Sequence, residues 1–174
     1  MEPTNNHPFQ FCPDCGQKNP DFHADRSISC KTCGFRYFLN TAATVAALIE
    51  DKNGALLLCS RAEEPGKGLL DLPGGFIEFN ETAEEAVRRE VKEELNLDIE
   101  DLVYMGSMPG NYVYNGWRYE ILNMIFHCRV NNFRRIKANS DVADYRFVDK
   151  GKLDLSEIGL ESIRSILKKY YKPS

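Results

Sequence analysis

The chain changes character at Thr41. Before it, residues 12 to about 38 carry too few apolar side chains for a core of their own, and the first dozen residues read as a loose arm. After it, Thr44-Val45-Ala46-Ala47-Leu48-Ile49 reads as a buried strand, Asp51-Lys52-Asn53-Gly54 as a turn, and Ala55-Leu56-Leu57-Leu58-Cys59 as the returning strand. A Gly/Pro-rich loop, Pro65 to Gly68, leads to Leu72-Pro73-Gly74-Gly75-Phe76. Residues 82–95, rich in Ala, Glu, Arg, Lys and Leu and free of Gly and Pro, predict a helix. Strand-like segments resume at Leu102–Tyr104, Tyr112–Tyr114, Trp117–Ile125 and Arg146–Val148, with Asn115-Gly116 marking a tight hairpin. From Ser156 to Tyr170, Ile158, Ile163, Ile166, Leu167 and Tyr170 recur at helical spacing. Strands, helix, strands, helix: the order predicts an α+β fold, a mixed sheet covered by helices.

A chain of 174 residues accommodates one domain with a proper core, or one domain plus a small attachment. Apolar residues at 43% and charged residues at 28% fit a soluble globular protein, and no run of about 18 apolar residues predicts a membrane span. The first residues, Met1 to Pro8, have neither a basic start nor an apolar run, so no signal peptide is expected and the cytoplasm is the expected compartment. A net charge of -4 argues against non-specific binding to nucleic acid or anionic membranes. It leaves phosphorylated substrates open, because clustered carboxylates can invert their local field by binding divalent cations.

On a helical wheel, Ala83, Ala86 and Val87 define the inward face of the first helix. Glu90, Glu93 and Glu94 continue that face at i, i+3, i+4, so their carboxylates converge, repel and lose solvation unless cations neutralise them. Hard oxygen ligands of this kind suit Mg²⁺ or Mn²⁺. The alternative is an ordinary solvated acidic face. Against it stands the tight Pro73-Gly74-Gly75 turn just upstream, where backbone can approach a ligand closely, and Arg89, spaced to tie Glu85 and Glu93.

Gly75, five residues, Glu81, seven residues, then Arg89-Glu90-Val91-Lys92-Glu93-Glu94-Leu95-Asn96-Leu97 closely resembles the Nudix box of the Nudix hydrolases. Asn96 stands where that family usually has Gly, and Asn is the common substitute at a left-handed helix end. Arg61-Ala62-Glu63-Glu64-Pro65-Gly66-Lys67-Gly68 and Leu72 to Glu78 extend the likeness, which covers roughly residues 40–170. The resemblance implies an α/β/α sandwich and metal-dependent hydrolysis of a nucleoside diphosphate linked to another group, water attacking phosphorus. It further implies Glu90, Glu93 and Glu94 as metal ligands with a Gly75 carbonyl as helper, and Glu81 with Arg89 as the pair bracing loop against helix. The general base is left open between a box glutamate and a distant loop acid, here Asp141, whose alternative is an ordinary capping acid. Arg61, Lys67 and Arg118 lie near strand ends or loops where they could meet phosphate, or remain solvated surface charges. Tyr112, Tyr114, Trp117 and Tyr119 flank the Asn-Gly turn as a stacking surface for a base, or as cross-strand pairs holding the hairpin.

Four of the six cysteines form two CxxC knuckles, Cys12/Cys15 and Cys30/Cys33, fourteen residues apart and each followed by Gly. Four thiolates at this spacing predict a tetrahedral structural Zn²⁺ in an N-terminal ribbon, residues 1–38, ahead of a hydrolase domain, residues 39–174. Cys59 and Cys128 fall in apolar segments and read as core thiols. A zinc ribbon running into a Nudix domain resembles the NADH pyrophosphatases. Their Ser-Gln-Pro-Trp-Pro-Phe-Pro-type motif is here Ser107-Met108-Pro109-Gly110-Asn111-Tyr112, and no room is expected for their further N-terminal domain. ADP-ribose, a NADH-like dinucleotide or a nucleotide sugar therefore stay open as the small-molecule nucleotide substrate. The family often pairs into homodimers. A second reading makes the ribbon a nucleic-acid or protein-binding module with the other domain as a nucleotide sensor. The ribbon's Lys18, Arg26, Lys31 and Arg36 are largely balanced by Asp14, Asp21 and Asp25, so no basic patch supports it.

Overall fold

The computed structural model describes residues 9–171; most of the arm read from the first dozen residues lies outside them. The chain divides into two compact units, Met1–Asn40 and Thr41–Ser174. No helix among the described residues is long and apolar enough to cross a membrane.

The first unit is a small antiparallel sheet of β1 (Asp21–Phe22), β2 (Ser27–Ser29) and β3 (Arg36–Phe38). Its apolar interior centres on Ile28, fully buried, and Ser27 is equally buried because its hydroxyl and N–H both donate to Asp25 Oδ1, at 2.6 and 3.0 Å. So small a core needs a further source of stability.

In the second unit β4 (Ala42–Ile49) pairs in parallel with β8 (Trp117–Val130), and β8 pairs antiparallel with β7 (Ile99–Tyr114), which makes this sheet mixed. A second sheet places β5 (Leu56–Arg61) between β6 (Leu70–Asp71) and β9 (Val142–Val148). The returning strand is thus not the hairpin partner of β4. A single bridge, Glu50 to Leu56, marks the turn, and β5 then crosses to the other sheet. The unbroken apolar run of β4 follows from burial on both sides. Val45, Ala47 and Ile49 pack with Val87, Val91 and Leu95 of helix α1 (Ala83–Leu95), while Ala46 and Leu48 pack with Ile163 and Ile166 of helix α2 (Glu161–Ile166). Helix, sheets, helix: the layers form the expected α/β/α sandwich.

Two segments read as separate strands, at 102–104 and 112–114, are one long β7, with register shifts near Ile99 and Tyr104 where the strand bends. Asn115 and Gly116 both take positive φ, 48° and 78°, as a two-residue hairpin turn requires. The C-terminal segment is not one helix. A 3₁₀ turn at Leu155–Glu157 precedes α2, and a π-helical turn, Leu167–Tyr171, follows it. Between turn and helix, Ile158 bridges to Leu70 and the Gly159 N–H donates to Leu70 O at 2.8 Å, holding the backbone extended.

Candidate active site

Helix α1 begins at Thr82, whose hydroxyl accepts the Glu85 N–H at 3.2 Å while the Glu85 carboxylate accepts the Thr82 N–H at 2.9 Å. This capping box satisfies orphan N–H groups at the helix start. Asn96 closes the helix with φ of 52°, the left-handed geometry expected there. Between the caps, Ala86, Val87, Val91 and Leu95 anchor the inward face and fix the direction of the acids beside them.

Glu94 is 7% exposed, and its Oε2 accepts the Gly74 N–H at 3.0 Å, which joins the glycine turn to the helix. Burial pushes its carboxyl up to about 8, even against that hydrogen bond. Glu90 lies against Gly75, where an added Cβ would collide with its carboxylate. Burial raises the Glu90 carboxyl too, opposed by Arg89. Gly74 takes φ of 143°, and a Cβ there would run into the Val45 carbonyl. The turn is fixed to β4 by hydrogen bonds from the Val45 N–H to Gly75 O, 2.9 Å, and from the Ala47 N–H to Pro73 O, 2.8 Å. The Gly75 carbonyl keeps a second lone pair.

Arg89 occupies the middle of this cluster. It grips Glu81 with Nε and Nη2 at 2.8 and 3.0 Å, reaches Glu90 and Glu93 with Nη1 at 2.9 and 3.1 Å, and donates to the Phe76 carbonyl at 3.0 Å. Loop and helix are therefore braced through one guanidinium. Glu93 is turned to Arg89 with its side chain 54% exposed. Among the described residues, Glu90, Glu93 and Glu94 do not bring their carboxylates together as one compact metal-ligand group; the convergence read from spacing is intercepted by Arg89.

A cleft of about 320 Å³ opens beside the turn. Glu94, Gly74, Gly75 and Asp141 line it, with Tyr112 and Tyr114, whereas Glu90 and Glu93 do not. Among the described residues Arg61 is the one basic residue in its lining, which also holds Glu63, Glu64, Asp71, Glu94 and Asp141. Arg61 is held in place: Nη1 meets Asp71 Oδ2 at 2.5 Å and Nε donates to Pro65 O at 2.6 Å. Lys67 is exposed and outside the lining; Arg118, also outside, donates to Glu120 at 3.0 Å. Tyr112 and Tyr114 stack at 6.5 Å and Phe76 meets Tyr112 edge-on at 5.9 Å, forming an aromatic wall. Their cross-strand neighbours Tyr119 and Trp117 lie outside the lining.

Sequence reasoning missed Asp71, Thr44 and Asn123, all buried and all lining the cleft. Asp71 left one local signal, an acid inside the apolar run Leu69-Leu70-Asp71-Leu72. Thr44 and Asn123 left none, since their partnership depends on the parallel register of β4 with β8.

In the first unit, Cys12, Cys15, Cys30 and Cys33 bring their sulfurs within 4.8 Å of one another. Cys12 to Cys33 and Cys15 to Cys30 measure 3.7 and 3.6 Å. Zn–S bonds of about 2.3 Å in a tetrahedron place sulfurs roughly 3.8 Å apart, so the four thiols fit that ion. Each knuckle turns at a Gly with positive φ, Gly16 at 73° and Gly34 at 78°. The Cys33 N–H, opposed by burial and helped by the Thr32 N–H, draws the Cys30 thiol down to about 6.

A family profile described as NUDIX domain matches residues 40–170. The ADP-ribose pyrophosphatase of Methanocaldococcus jannaschii is 36% identical over 121 residues, 68% of this chain and 68% of that protein. The NAD-capped RNA hydrolase NudC of Vibrio atlanticus is 32% identical over 103 residues, 58% of this chain but 37% of its own length. The chain thus spans little more than a third of one relative and about two thirds of the other. A crystal structure of a NUDIX hydrolase from Nitrosomonas europaea superposes with a TM-score of 0.71 at 24% identity, covering 92% of this chain and 89% of that one, a likeness of fold. The chain belongs to the NUDIX domain family.

Proposed function

We propose that this protein hydrolyses the pyrophosphate bond of a nucleoside diphosphate derivative, with ADP-ribose and NAD-type dinucleotides as the first substrates to try. The observation that carries this reading is Glu94, a buried carboxylate fastened to the glycine turn at the edge of an acidic cleft that contains a single arginine. A diphosphate enters such a cleft only if its charge is offset. The carboxylates of Glu90, Glu93 and Glu94, with the Gly75 carbonyl, are the donors that would hold Mg²⁺ or Mn²⁺, and their hard oxygens fit those ions. Bound there, the ions would offset phosphate charge and lower the pKa of a coordinated water.

The chain's own groups do the remaining work in this reading. Arg89 holds Glu90 and Glu93 ready and anchors them to Glu81, so few side chains need ordering when ions arrive. Arg61, pinned by Asp71 and lining the cleft, would meet the phosphates with its guanidinium. Asp141, on the loop before β9, is the loop acid available to take a proton from the attacking water. Tyr112 and Tyr114 stack the planar group. In the ribbon, the four cysteines would hold a structural zinc with no open position for chemistry. The test is turnover: with Mg²⁺ or Mn²⁺, ADP-ribose should give AMP and ribose 5-phosphate. No turnover of any nucleoside diphosphate derivative in a broad panel would reject the assignment.

A further inference from the structure

Buried polar side chains in this protein concentrate at the cleft. Of the buried polar or charged residues, Thr44, Asp71, Glu94 and Asn123 all line it. Asp71 has Arg61 and Glu94 has Gly74, whereas Thr44 and Asn123 have no part in the proposed hydrolysis.

Asn123 is 4% exposed, and its carboxamide is set in one orientation. The Thr44 hydroxyl donates to Asn123 Oδ1 at 3.1 Å, and the Met108 carbonyl on the amide's other side can only accept, so it must face the nitrogen. Asn123 Nδ2 donates one N–H to the Met108 carbonyl at 3.2 Å. An amide nitrogen has two, and the second has no partner among the described residues. At Gly110 a Cβ would meet Ser162 Cβ at 2.7 Å and Asn123 Nδ2 at 3.2 Å, so that side of the amide is closely packed and the cleft, which Asn123 lines, is its open side. Ser162 Oγ is itself buried without a hydrogen-bond partner. Of these two groups Asn123 lines the cleft, beside its aromatic wall, and Ser162 does not. Buried polar capacity left unused is costly, and it is rare unless a ligand completes it.

We infer that Asn123 is a specificity-determining residue that donates its remaining N–H to an acceptor on the base of the substrate, with Thr44 as the residue that positions it. The inference rests on the proposed function and adds what that leaves open, which base the cleft prefers. A donor at a fixed place favours a base presenting a ring nitrogen or carbonyl there over one presenting an amino group.

The test compares diphosphoribose derivatives of adenosine, guanosine, cytidine and uridine in wild type, Asn123→Asp, Asn123→Leu and Thr44→Val, recording kcat and KM separately. Binding of the four nucleoside monophosphates is measured alongside by calorimetry. Asn123→Asp keeps the shape, exchanges donor for acceptor, and should raise KM for the preferred base roughly 10- to 100-fold while kcat changes little. Ratios between bases should contract toward unity, less so in Thr44→Val. Unchanged ratios in folded Asn123→Asp and Asn123→Leu proteins would overturn the inference, whatever their melting temperatures. If wild type cleaves none of the compounds, the hydrolase reading has failed. The monophosphate affinities then still decide the role of Asn123 by the same ratios.

Discussion

The Gly74 N–H and the Glu94 carboxylate, twenty residues apart in sequence, are joined by a hydrogen bond of 3.0 Å. That contact ties the glycine turn to the last turn of α1 and holds a carboxylate against a buried surface. Burial is why this group's protonation responds to conditions near neutrality.

Stability of the metal-free protein should therefore fall as pH rises from about 5 toward 8. Burial pushes the Glu94 carboxyl up to about 8 when folded, against its ordinary 4.5 when unfolded, so between those values the folded state holds a proton that the unfolded state has lost. Thermal melts across this range should show the decline, and Glu94→Gln should flatten it. Added Mg²⁺ should raise the melting temperature more at pH 8.5 than at pH 6, since the ion must displace that proton. A metal-free melting curve that climbs through this window in wild type would contradict the assignment.

The two glycines of the turn should respond differently to alanine. At Gly74 the obstacle is the Val45 carbonyl, which is backbone in a central strand, and φ is 143°. Gly74→Ala should cost about 3 kcal/mol or more in urea unfolding. At Gly75 the obstacle is the end of the Glu90 side chain, which can swing away. Gly75→Ala should cost about 1 kcal/mol yet reduce turnover severely, because the displaced group is a proposed metal ligand.

Arg89→Ala should lose both stability and turnover, because it leaves Glu81 and Glu90, whose side chains are 13% and 15% exposed, without their partner. A loss of about 2–4 kcal/mol is expected, and Arg89→Lys should recover only part of it. Lysine restores the charge without the fork that reaches Glu81, Glu90, Glu93 and the Phe76 carbonyl together. Full rescue by lysine, in urea melts and in turnover, would show that charge alone suffices.

Chelation should expose thiols selectively. With zinc bound, a thiol reagent should react slowly with Cys12, Cys15, Cys30 and Cys33. After zinc removal the small ribbon should open and all four react fast, buried Cys12 and Cys30 included, while Cys59 and Cys128, in the core of the second unit, stay protected until global unfolding. Release of zinc measured with a metallochromic dye should track the fast phase. Fast reaction of Cys59 or Cys128 together with the four would contradict separate thiol classes.

Features governed by short-range rules were legible in the sequence. Residue types and spacing announced the start of α1, the Asn115-Gly116 turn and the two cysteine knuckles, and the family resemblance announced the left-handed end at Asn96. Pairing between distant segments was not. No local rule places Thr44 beside Asn123, or sends β5 away from β4 to lie between β6 and β9. The glutamate face illustrates both cases. Helical spacing gave Glu90, Glu93 and Glu94 a shared side, but how Arg89 divides itself among Glu81, Glu90 and Glu93 depends on a loop whose path spacing does not encode.

The most direct test of the central claim is single-substrate hydrolysis of ADP-ribose by wild type and Glu94→Gln at saturating Mg²⁺ or Mn²⁺, with products resolved and the water oxygen traced. Wild type should release AMP and ribose 5-phosphate with solvent oxygen on one phosphate, and Glu94→Gln should be slower by roughly 10²- to 10³-fold or more while remaining folded. Equal rates for the two proteins, with metal present and substrate saturating, would contradict the assignment of the buried glutamate to the chemistry.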